Sequence, residues 1–181
     1  MAACRMEFGN SALAWSDMAV ASAPSGDGSG AETRNVSFAF EIACSGFSFA
    51  GQAECRFEDM REFAQDLRRM YEFQSGGAYL PLLTGNAAFS MDEKGHLKAN
   101  VEIYDGPERA RSQCGFCADQ SSLCPFLAAL ERFLREAGAE IPPCKPADFP
   151  LDRPRNIRYN KTGGKNSIAF VRWFRERLRR R

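Results

Sequence analysis

Between Val36 and Phe57 the apolar side chains fall on every second residue, and from Met60 onward they fall three and four apart. That change of period dictates a strand pair followed by a helix, because side chains alternate across a strand but gather on one helix face about every 3.6 residues. Val36, Phe38, Phe40, Ile42 and Cys44 form the first alternating run. Phe47, Phe49, Gly51, Ala53, Cys55 and Phe57 form the second, and Ser45-Gly46 makes the tight turn between them. In the helix, Met60, Phe63, Ala64, Leu67, Met70 and Tyr71 share a face. Glu58, Asp59 and Glu62 stand at the end where the dipole favours carboxylates, Arg68 and Arg69 stand near the other, and Ser75-Gly76-Gly77 stops the helix.

Four more strands are expected over 78–83, 87–91, 97–104 and 112–118, with turn chemistry at Thr84-Gly85-Asn86, Glu93-Lys94-Gly95 and Asp105-Gly106-Pro107. Neighbours joined at hairpin spacing pair antiparallel. A second helix starts near Ser121-Ser122 with Pro125 in its first turn, buries Phe126, Leu127, Leu130, Phe133 and Leu134, and ends at Gly138. The expected fold is α+β: a largely antiparallel sheet of about six strands, with two helices on one face, followed by a basic C-terminal helix. No internal repeat of 20 to 50 residues is visible.

The organisation expected is a leader and flexible linker over 1–35, a core domain over 36–140, and a proline-rich segment with a basic amphipathic helix over 141–181. Ala21 to Thr33 is small and polar, the composition of a linker. Pro142, Pro143, Pro146, Pro150 and Pro154 mark the second boundary. In the terminal helix Phe170, Val171, Phe174 and Leu178 make an apolar stripe, flanked by Arg172, Arg175, Arg179 and Arg180.

A chain of 181 residues, 44% of them apolar and 15 of them Phe, has material for one aromatic-rich core. Seven Cys, an odd number at irregular spacing, read as free thiols in a reducing compartment, which places the chain in the cytoplasm. No apolar run is long enough to span a membrane. Charge divides the chain more sharply than composition does. Residues 145–181 carry 12 Lys+Arg against 3 Asp+Glu, while residues 1–144 carry 12 against 20. An acidic body with a basic tail points to partners rather than to a reaction.

Candidate chemistry is sparse. Cys114-Gly115-Phe116-Cys117 has the spacing of a zinc half-site or a redox pair, but it lies within an expected antiparallel strand and has no second close pair beside it. His96, the single histidine, sits in a turn without a nucleophile motif. Lys161-Thr162-Gly163-Gly164-Lys165 lacks the spacing of a phosphate loop. Two rival classes therefore stand beside a protein-binding role: weak nucleic-acid contact through the tail at Arg172, Arg175, Arg179 and Arg180, and a small zinc domain on Cys114 and Cys117. Docking of the basic helix on the acidic body is the plainer role for the tail.

Several segments carry a family likeness: Gly46-Phe47-Ser48-Phe49; Phe57-Glu58-Asp59-Met60-Arg61-Glu62-Phe63; Gly77-Ala78-Tyr79-Leu80; Gly95-His96-Leu97-Lys98-Ala99-Asn100-Val101; and Phe116-Cys117-Ala118-Asp119-Gln120-Ser121-Ser122-Leu123. The pattern resembles the WapI-type immunity proteins and related small immunity-like proteins of bacterial polymorphic toxin systems, and it spans about Met6 to Glu136. The resemblance implies a non-enzymatic protein that binds and neutralises a cognate toxin domain, and no cofactor is expected. An acidic face suits a basic nuclease toxin by steering its approach. On charge alone, the expected contact residues are Asp92, Glu93, Glu102, Asp105 and Glu108 in the hairpins. Asp119-Gln120 reads as a cap of the second helix rather than a contact. The sequence leaves the oligomeric state open.

Overall fold

The computed structural model describes residues 3–24, 32–44, 47–92, 94–105 and 110–141. Two antiparallel sheets of four strands, each in sequence order, build the fold. The first holds β1 (Cys4–Phe8), β2 (Ser11–Pro24), β3 (Glu32–Cys44) and β4 (Phe47–Arg56), followed by α1 (Phe57–Phe73). The second holds β5 (Gly76–Leu82), β6 (Gly85–Met91), β7 (His96–Asp105) and β8 (Ala110–Asp119), followed by α2 (Gln120–Glu136). The α+β class and the antiparallel pairing are as expected, but eight strands in two sheets replace about six in one. The helices are not confined to one sheet: α1 packs on β3 and β4 and also on β5 and β6, while α2 packs on β1, β8 and α1. Helix α1 intervenes between β4 and β5, so the first sheet closes before the second begins.

The expected leader is the main correction. Cys4, Met6, Leu13 and Trp15 all face inward and are buried, so residues 4–24 are two strands of the first sheet rather than a leader. Two features hide them in the sequence. Outward positions such as Ala12 and Ala14 are alanines, which have low strand preference. The run is also broken at Ser16-Asp17, where the ladder with β3 slips: Ser16 pairs with Ala39, the next pair is Ala19 with Ser37, and Asp17 takes the left-handed conformation at φ 53°. This is a β-bulge, with one residue more on β2 than on β3, so the alternation changes phase along the strand.

Both helices form where their apolar faces require. The face of α1 buries Met60, Phe63, Ala64, Leu67, Met70 and Tyr71, and that of α2 buries Leu123, Phe126, Leu127, Leu130, Phe133 and Leu134. Asp119 caps α2: its Oδ1 accepts from the Ser122 backbone N–H at 3.1 Å and from the Ser121 hydroxyl at 2.5 Å. Pro125 is the sixth helical residue rather than a first-turn one, because the cap stands earlier than Ser121. Gly138, at φ 87°, ends the helix as its position predicts, and the Ala139 N–H reaches back to the Leu134 carbonyl at 2.8 Å.

Five rings from both sheets and both helices fill the centre. Trp15 meets Phe38 at 4.7 Å, Phe63 at 5.7 Å and Phe126 at 4.9 Å, and Phe89 meets Phe63 at 5.4 Å and Phe126 at 6.1 Å. Such pairs add about 0.5–1.5 kcal/mol each beyond the area they bury. One ion pair joins the helices inside this packing. Arg68 gives two hydrogen bonds of 2.7 Å to the carboxylate of Glu131, whose side chain is 1% exposed. Arg34 ties the end of α2 to the first sheet, donating to the Ala137 carbonyl while its guanidinium lies 3.9 Å from the centroid of the Phe57 ring. The basic tail, including Arg172, Arg175, Arg179 and Arg180, lies outside the described residues.

Candidate functional site

The β6–β7 hairpin places its acids at opposite ends. Met91 pairs with Leu97 beside the turn, and Gly85 pairs with Ile103 at the far end, so Asp92 and Asp105 are separated by a ladder of roughly 20 Å at about 3.4 Å per residue. At the turn, Asp92 is exposed, and its carboxylate accepts from the backbone of Lys94 at 2.9 Å and of His96 at 3.0 Å, with the His96 ring Nδ1 3.1 Å from its other oxygen. Partial burial acts to raise the Asp92 carboxyl, but these hydrogen bonds and the neighbouring imidazole outweigh it and hold the group below the usual range. Glu93 and Glu108, and the side chain of Asp105, lie outside the described residues.

Glu102 is not an exposed acid. It is 8% exposed, because β7 is an inner strand and Glu102 lies in register between Asn86 on β6 and Gln113 on β8. The Asn86 amide donates to its carboxylate at 3.1 Å. Its place in the sheet is structural, and sequence alone does not separate an inner strand from an edge.

Charge counting also misses an apolar pair at the far end of the hairpin. Leu83 is 63% exposed and Tyr104 is 43% exposed. Both are anchored through the backbone: the Tyr104 N–H donates to the Thr84 carbonyl at 2.7 Å, and the Leu83 N–H donates to the Glu54 carbonyl at 2.8 Å. The second bond joins the two sheets, so this turn is held on a rigid frame. Glu54, whose carboxylate accepts from Asn35 at 2.8 Å, brings a negative charge to the same end. Tyrosine is enriched at the anchors of protein contacts, and Phe8 and Phe73 are the other large apolar side chains exposed among the described residues. The only sequence signal for the pair is Leu83 itself, an apolar residue directly before Thr84-Gly85 where turn chemistry asks for polar ones.

A concavity of about 580 Å³ lies where the bulged part of β2 meets the last turns of α2, lined by Met18, Val20, Phe133 and Ala137 with Arg132 and Glu136. Two buried cysteines offer little nucleophilic character. Burial pushes the Cys4 and Cys55 thiols up to about 12. Cys117 is exposed on β8 opposite Lys98, and the side chain of Cys114 lies outside the described residues. Among the described residues no three His, Cys, Asp or Glu side chains gather as a metal site. No helix among them is long and apolar enough to cross a membrane.

The Immunity protein WapI-like family model matches residues 23–138, which includes both helices and six complete strands. The chain belongs to the WapI-like immunity protein family. In this WapI-like protein β1 and nearly all of β2, with the central Trp15, precede the matched stretch. Among solved structures, the plant transcriptional regulator PBF-2 is similar over 74% of this chain and 88% of its own, with 6% identity and a TM-score of 0.49. WHY1 from Arabidopsis thaliana is similar over 73% and 87%, with 8% identity and a TM-score of 0.45. Neither likeness is close enough to bear on function. No curated protein matches the chain.

Proposed function

We propose that this WapI-like protein is a cytoplasmic, non-enzymatic immunity protein that binds a cognate toxin domain and neutralises it. The family match over residues 23–138 carries this reading. The exposed Leu83 and Tyr104 support it, as does the excess of acids in residues 1–144. Leu83 and Tyr104 anchor the contact, and Glu54, Asp105 and, three residues further along the chain, Glu108 steer a basic toxin domain toward it. Asp92 and Glu93, from the other turn of the hairpin, extend the same negative field. Glu102 takes no part, since its carboxylate is turned to Asn86.

The test is co-expression with the toxin domain encoded beside this protein, scored by cell survival and by co-purification. Survival with a stable complex is the expected result. Cell death with no complex, from soluble and folded protein, overturns the reading. Binding of single-stranded DNA or RNA in place of the toxin domain, lost on truncation after Pro143, assigns the activity to Arg172, Arg175, Arg179 and Arg180 instead.

A further inference from the structure

The chain is built twice. Each half runs through four strands and then a helix, and the closing portions match in every boundary: β4 and α1 span Phe47–Arg56 and Phe57–Phe73, β8 and α2 span Ala110–Asp119 and Gln120–Glu136, each 63 residues after its counterpart. The buried positions keep the offset, so that Met60, Phe63, Leu67 and Met70 correspond to Leu123, Phe126, Leu130 and Phe133.

The central rings repeat the relationship. Trp15, on the second strand of one half, meets its own helix at Phe63 with planes 29° apart, and Phe89, on the second strand of the other, meets its own helix at Phe126 with planes 33° apart. Across the halves the contacts are edge-on, Trp15 to Phe126 at 73° and Phe89 to Phe63 at 66°, although by ladder register the counterpart of Trp15 is Ala87 and Phe89 falls opposite the bulge of β2. Contacts that reciprocate in this way are the mark of a twofold axis.

On such an axis a residue meets its own counterpart. Arg68 and Glu131 are 63 residues apart and form the bidentate pair between the helices. The charges invert around it as well, Arg68 and Glu72 in α1 against Glu131 and Arg135 in α2. Two copies of the first half would set Arg against Arg there, and two copies of the second would bury Glu against Glu, so only unlike halves fit. The chain passes from one half to the other through Gln74 and Ser75, with Gln74 left-handed at φ 53° and Gly76 following at φ 105°. A short hinge held in this conformation favours exchange of elements between chains.

We infer that the boundary between the halves, where α1 lies on β5, α2 lies on β1 and the two helices meet, is an interface between exchangeable halves, with Arg68 and Glu131 at its axis selecting the unlike half, and that the partner it fits is the complementary half of a second copy of this chain. In the exchanged dimer every contact between the halves is kept, while the hinge extends and releases Gln74 from its left-handed conformation.

The experiment uses full-length Arg68→Glu and Glu131→Arg chains carrying different tags, unfolded together in urea, refolded, and weighed by native mass spectrometry. Each variant alone opposes like charges at the axis. The exchanged heterodimer instead sets the two substituted side chains against each other at one axis, as an ion pair of reversed polarity, and restores the native pair at the other. A one-to-one heterodimer is expected, over about tenfold the exchanged fraction given by differently tagged native chains. The double variant R68E/E131R is expected to fold as a single chain with most of its stability recovered. A double variant that folds with no heterodimer from the mixed singles overturns the exchange. A double variant no more stable than the singles overturns the axis itself.

Discussion

A Cβ at Gly85 would lie 1.9 Å from the carbonyl oxygen of Glu102 and 3.0 Å from the Cα of Ile103. The β6 backbone therefore passes β7 at a distance that only glycine permits. Gly85→Ala is expected to cost about 2–4 kcal/mol, since the ladder has to separate at its first pair. A urea midpoint equal to that of the native chain would show that the two strands do not approach this closely.

Glu131 is buried with Arg68 as its bidentate partner, so losing one charge leaves the other poorly solvated. Glu131→Ala is expected to cost about 3 kcal/mol. The paired change Arg68→Met with Glu131→Leu is expected to cost less than Glu131→Ala or Arg68→Ala, because an apolar pair of similar size leaves no charge behind. Urea unfolding of the three variants checks the order.

Asp119→Ala removes the cap of α2 and is expected to cost about 1 kcal/mol at neutral pH. The hydrogen bond from the Ser121 hydroxyl, with those from Ser122, holds the Asp119 carboxyl below its ordinary value of 3.8 in the folded chain. A depressed carboxyl stabilises the fold above the unfolded value and loses that contribution as pH falls through the folded one. The gap between native and Asp119→Ala melting temperatures is therefore expected to narrow in acid, below about pH 4. A gap unchanged down to about pH 2 would refute the charged cap.

Leu83→Asp and Tyr104→Ala alter exposed side chains and leave the backbone bonds at Thr84 and Glu54 in place. Both variants are expected to fold within about 0.5 kcal/mol of native. Each is expected to weaken the toxin-domain complex by about tenfold or more, read by titration calorimetry. Full affinity in both would move the contact away from this end of the hairpin.

Apolar spacing carries most of the fold. Met60 through Tyr71 and Phe126 through Leu134 mark both helices, and burial alternates along β3, β5 and β6. What escapes is what spacing does not encode. The bulge at Asp17 shifts the phase of β2, and outward alanines conceal it as a strand. The doubling is equally hidden: among the 17 aligned positions of α1 and α2 only Phe63 with Phe126, Leu67 with Leu130 and Arg69 with Arg132 are the same residue. A shared burial pattern preserves geometry while identity is lost. At the surface, charge counting reads Asp92 as exposed, which it is, but misplaces Glu102, because burial of a carboxylate depends on which strand lies on each side of it.

The bulge in β2 has a consequence beyond register. β1 pairs with β2 only as far as Trp15, so from Ser16 to Pro24 one side of the strand has no strand beside it among the described residues. A straight, bare edge of that length is where one molecule adds to the next and fibres begin. Here the exposed edge starts with a left-handed, charged Asp17 that turns the backbone out of line, and it ends in Pro24, which has no N–H to offer. The same irregularity that obscures this strand in the sequence guards the folded protein against growth into aggregates.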